Sequence, residues 1–98
     1  MSTTKQYRDY IVEQLSELPD IVCRPMMGGY LLYSDGILFG GLYGGDRLLV
    51  KMVSENAQFG MREEIPYEGS KKLMYLVEDT DDKEKLTEIV KATVRGLK

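Results

Sequence analysis

The sequence contains no histidine and no tryptophan, and it has a single cysteine, Cys23. Without histidine it lacks both the commonest general base and the commonest zinc ligand. A lone cysteine forms no internal disulfide, which fits a reducing compartment. The thiol lies in the apolar run Ile21-Val22-Cys23, the setting of a packing side chain rather than of a nucleophile. No apolar run approaches the roughly 20 residues that span a bilayer, and the N-terminus lacks the basic-then-apolar order of a secretory signal. The expected location is cytoplasmic, with no membrane attachment. Positive charge is also short: thirteen Lys and Arg stand against sixteen Asp and Glu, a formal charge of -3. That is the wrong sign for neutralising phosphates over a broad face, so non-specific nucleic-acid binding is not expected.

What is present makes one domain, residues 1-98, able to bury only about two thirds of the surface its unfolded chain exposes. Thr3 or Thr4 can cap a first helix, in which Tyr7, Ile11, Leu15 and Leu18 recur at helical spacing until Pro19. Asp9, Glu13 and Glu17 stripe its other side. Like charges at that spacing cost a few tenths of a kcal/mol each, tolerable on a solvated face anchored from behind; the rival reading is a docking face for a basic partner. Near the other end, Asp81 or Asp82 caps a helix with an apolar stripe of Leu86, Ile89, Val90, Val94 and Leu97. Its acids lie at the start and its bases at the end, as the macrodipole favours.

Between the helices, seven of the ten glycines fall in residues 26-46. They do not make a phosphate loop. None is followed by the Lys-Ser/Thr pair of a Walker motif, and they alternate with strand residues rather than opening a helix. They read instead as turns and packing gaps. Ile21 to Met27 is strand-like, interrupted by Pro25, and Asp35-Gly36 between apolar runs signals a two-residue type I′ hairpin. With that loop Tyr33 pairs with Leu38, Leu32 with Phe39, Leu31 with Gly40 and Tyr30 with Gly41. A second loop at Gly45-Asp46 pairs Tyr43 with Leu48, Leu42 with Leu49 and Gly41 with Val50. This register places Tyr30, Leu32, Ile37, Phe39, Tyr43, Leu48, Val50 and Met52 on one face, and Leu31, Tyr33, Leu38, Leu42, Leu49 and Lys51 on the other. Residues 54-60 suggest a short helix or turn, 63-70 an edge or loop, and 71-78 a last strand with Leu73, Tyr75 and Val77 on one side.

No reaction chemistry emerges. Glu63-Glu64 flanks a loop, and the acids at 79, 81 and 82 precede a helix, where electrostatics alone expects them. The same cluster lacks the spacing of a calcium loop, and no metal or cofactor is expected. Seven tyrosines and six methionines suit half-exposed sheet faces, interfaces or an adaptable pocket. Two helices can cover only one face of the sheet. The uncovered face, with Leu31, Tyr33, Leu38, Leu42 and Leu49, is therefore the expected interaction surface and a homodimer the expected state. The alternative is that residues 54-70 fold across that face, using Phe59, Met61, Ile65 and Tyr67.

The run Arg24-Pro25-Met26-Met27-Gly28-Gly29-Tyr30, followed by Tyr33, Asp35-Gly36, Phe39 and Asp46-Arg47-Leu48-Leu49-Val50-Lys51, resembles the N-terminal domain of the TfoX/Sxy competence-regulator family. That family's pattern is Arg-x-Met-Phe-Gly-Gly-Tyr-Gly-x-Tyr, then Asp-Gly, Phe and Leu-Tyr-Leu-Lys. Here Met27 stands where the family usually has Phe, Leu31 where it has Gly and Leu49 where it has Tyr. The resemblance implies a two-layer α+β fold of the type III secretion chaperone-like kind, a mainly antiparallel sheet of about five strands with the N- and C-terminal helices packed on it. It also implies a non-enzymatic regulatory or protein-interaction module, with a regulatory protein as possible partner. The full-length regulators carry a C-terminal domain of helical, DNA-binding-like character, so a chain ending at Lys98 is expected to be a stand-alone N-terminal module. The alternative function is a small-ligand binder or an undetected enzyme using the sheet face near Arg24, Tyr33 and Lys51.

Overall fold

A computed structural model describes residues 4-98; Thr3, one of the two candidate caps, lies outside them. The cap is Thr4, whose Oγ1 accepts from the Tyr7 N-H at 3.1 Å to open α1, Lys5–Gln14. The helix ends a turn before Pro19, so Glu17 falls outside it and the acidic stripe shortens to Asp9 and Glu13. Leu15 and Leu18 are buried all the same. Six strands follow: β1 Ile21–Met26, β2 Gly29–Ser34, β3 Ile37–Tyr43, β4 Arg47–Val50, β5 Arg62–Glu64 and β6 Met74–Val77, with a 3-10 helix at Ser54–Phe59. Helix α2, Lys83–Leu97, closes the fold, with Asp82 as its cap accepting from the Lys85 N-H at 3.1 Å.

The strands form one sheet in the order β1-β2-β3-β4-β6-β5, every pair antiparallel. The sequence reading of about five strands lacks β5, a three-residue edge strand of charged residues. Pro25 is tolerated because β1 is the opposite edge, where a missing N-H leaves no ladder bond unmade.

The register departs from the expected one in two places. Tyr33 pairs with Leu38, but Leu32 then pairs with Gly40, so a bulge leaves Phe39 as the extra residue. The second loop spans residues 44-46, and Tyr43 pairs with Arg47, Leu42 with Leu48 and Gly41 with Leu49. The extra residue reverses the faces of residues 40-43, and the three-residue second loop restores the expected faces from Leu48 on. Leu42 therefore turns into the helix-covered core and Tyr43 to the far side. At Gly40 the strands come so close that a Cβ would overlap the backbone of Leu49 and Val50.

Both helices pack on one face. Ile11, Leu15 and Leu18 meet Tyr30, Leu32, Phe39, Leu42, Leu48, Val50 and Val77, with Leu86, Ile89 and Val90 from α2. The Tyr10 hydroxyl donates to Asp81, and Gln14 Nε2 donates to the Thr80 carbonyl at 2.8 Å, tying α1 to the turn ahead of α2. The 3-10 helix joins this side through buried Asn56. Its Nδ2 donates to the Lys51 carbonyl at 2.9 Å and to Thr93 Oγ1 at 2.8 Å, and its Oδ1 accepts from the Val53 N-H at 3.2 Å. The far face holds only a small cluster, Tyr43, Leu49 and Met74, with Met26 and Leu76 packed against it.

Candidate functional site

The far face is hollowed at one end. Met26 pairs with Gly29, and the intervening Met27 and Gly28 both have positive φ, 40° and 83°, the pattern of a type I′ turn. Such turns favour Asn, Asp or Gly; Met27 is none of these, and its side chain is 99% exposed. Across from this turn, the segment after β5 is stapled down by Arg47. Its Nε donates to the Gly44 carbonyl at 2.9 Å, Nη1 to Glu64 Oε1 and to the Ile65 carbonyl at 3.0 Å each, and Nη2 to the Pro66 carbonyl at 2.8 Å. Four of the five guanidinium N-H groups are thus committed to the protein itself. The Arg47 charge is a structural pin, paired with Glu64.

Between turn and staple lies a cleft of about 570 Å³. The first hairpin contributes Met26, Met27 and Gly29, the third and fourth strands with their loop Tyr43, Gly44 and Arg47, and the stapled segment Pro66, Tyr67 and Glu68. Burial, and then the neighbouring Tyr67, push the Tyr43 phenol above its ordinary range. Thioethers, aromatic rings and bare backbone make this a surface for apolar contact. Among the described residues no group of three or more His, Cys, Asp or Glu is placed to hold a metal, and no helix is long and apolar enough to cross a membrane.

The family profile of the TfoX N-terminal domain matches residues 13-97. This chain belongs to that family. A search of curated proteins finds no match. In this TfoX N-terminal domain the motif Arg24 to Tyr30 is the β1-β2 hairpin, so the residues that carry the resemblance also build one lip of the cleft.

Of the residues expected to form an interaction surface, the bulge takes Leu42 off the far face. Leu31, Tyr33 and Leu38 are half-buried on the far face. Leu42 and Leu49 are both 0% exposed, Leu42 in the helix-side core and Leu49 in the far cluster, so neither can touch a partner. Lysine at position 42 would disrupt the core rather than split a dimer. Residues 54-70 cross the far face only at its end, where Pro66 is buried. Arg24 is exposed and stacks over the Tyr33 ring, 5.7 Å from its centroid. Lys51 follows β4, with β2 and β3 between it and the strand of Arg24. Arg24 and Tyr33 are thus brought together, and Lys51 stands apart.

Sequence reasoning named Met27, Arg47 and Tyr67 but gave none of them a part in a binding site. Met27 reads as the end of the strand-like run Ile21 to Met27 because methionine is not a turn former; the signal for a turn is Gly28-Gly29, two flexible residues ahead of an apolar run. The pinning role of Arg47 left no local signal, since three of its four acceptors lie 17 to 19 residues away.

Proposed function

We propose that this TfoX N-terminal domain is a non-enzymatic regulatory module that acts by binding protein, and that the cleft beside Met27 is its binding surface. The observation that carries the reading is the exposed apolar rim: Met27 at 99% and Tyr67 at 60% exposure flank a cleft whose one cation is consumed in holding it open. Apolar groups left in water around a concavity mark interaction sites. Family membership supplies the regulatory context, with competence or transcription control in the cytoplasm as its specific form. A photo-reactive phenylalanine analogue in place of Tyr67 is expected to give discrete covalent adducts to protein in living cells. Adducts no more abundant than those from the same analogue at exposed Lys91 would count against the reading.

A second reading is favoured by the cleft volume, which falls within the roughly 300-1,000 Å³ of small-molecule sites. It moves the small-ligand alternative from Arg24, Tyr33 and Lys51 to the Met27 cleft. Saturable thermal stabilisation by a metabolite, abolished by Tyr67→Ala, would support it.

A further inference from the structure

The first hairpin sets an apolar knob beside an apolar hole. Met27 occupies a backbone region where a bulky L residue is strained, yet its side chain stands in solvent. At 99% exposure the side chain gains no burial in return for that strain, and strain of this kind gathers at functional positions. The neighbouring hole has Tyr43, Pro66 and Tyr67 as walls, with Gly29 and Gly44 among its lining.

We infer that Met27 of one copy fills the cleft of a second copy, and the reverse, in a two-fold dimer. The inference rests on reading the cleft as a protein-binding surface. Knob and hole lie side by side, so a two-fold axis passing between two copies seats both at once. An unrelated protein would need its own knob and its own hole at the same spacing. A fully exposed methionine and a three-fifths-exposed tyrosine present on the order of 300 Å² between them. Counted for both copies this is about 600 Å² before the cleft floor is added, the small end of specific interfaces, where weak and reversible association is expected. Of the charged lining groups, Arg47 is already paired with Glu64, and Glu68, exposed in the single chain, has to stay at the rim of the contact. A thioether against tyrosine rings is itself a favourable contact.

Sedimentation velocity of the purified protein over a concentration series tests this. A monomer-dimer equilibrium in the micromolar range is expected. Met27→Asn should raise its dissociation constant at least about tenfold. The same change should raise the melting temperature of the dilute monomer, because Asn-Gly is the preferred pair for this turn. Leu38→Lys, on the same face but away from the cleft, should leave the equilibrium unchanged. A wild-type protein that stays monomeric into the hundred-micromolar range overturns the inference. So does a Met27→Asn protein that associates like wild type, or a Leu38→Lys protein that alone dissociates. Adducts at position 67 to other proteins, with a monomeric purified protein, would reject the self-contact and leave the protein-binding reading standing.

Discussion

Four non-glycine residues among those described hold positive φ: Asp20, Met27, Asp35 and Asp46. Aspartate tolerates this region by bonding locally; methionine has no such means. Glycine is required for two different reasons in the same sheet. Gly36 has φ 79° and open space around a notional Cβ, whereas Gly40 lies where a Cβ would strike β4. Gly36→Val is therefore expected to cost about 1-3 kcal/mol through φ alone. Gly40→Ala should cost more, since the obstacle is backbone that must separate. Urea melts of the two variants check both, and an unchanged midpoint for Gly36→Val would exclude the turn. At Cys23, burial pushes the thiol pKa up, with Arg8 pulling against it and Asp9 adding to it. The thiolate is then scarce at neutral pH. A disulfide reagent should label the folded protein more slowly than free glutathione at pH 7, with the rate still rising with pH after that of glutathione has levelled off; rapid stoichiometric labelling at pH 7 would contradict this.

Among the elements, the 3-10 helix depends on one side chain. Asn56→Ala leaves the Val53 N-H without its side-chain acceptor, and the Lys51 carbonyl and Thr93 Oγ1 without the amide that reaches both. A loss on the order of 2-3 kcal/mol is expected in chemical denaturation; a loss below about 0.5 kcal/mol would show that water replaces the amide. Both helices, the Asp35-Gly36 turn and most strand positions were legible in the sequence, because periodicity, caps and turn residues are local signals. The face of Leu42 was not, because one bulged residue at Phe39 reverses parity and no residue type announces it. β5 was legible only as an edge or loop over 63-70, because Arg62-Glu63-Glu64 pairs with β6 through backbone bonds indifferent to its charged side chains. The cleft was half legible: its glycine-rich hairpin stood out, while its far wall depends on Arg47 reaching carbonyls remote in sequence.

For the whole molecule, strand order and chain order coincide from β1 to β4. Only β6 and β5 reverse, and β6 reaches β4 after an excursion of more than twenty residues. The four-strand meander can therefore zip through short loops before the longer closure that brings in β6, and closing a longer loop costs more entropy. Contacts made early appear in the folding rate, and contacts made late in the unfolding rate. Leu32→Ala, inside the meander and fully buried, is expected mainly to lower the folding limb of a chevron plot. Ile89→Ala on α2, 1% exposed, should mainly raise the unfolding limb. Equal partition in both variants would instead mean that meander and helix condense together. In the expected case, the order in which the strands lie across the sheet is also the order in which they are acquired in time.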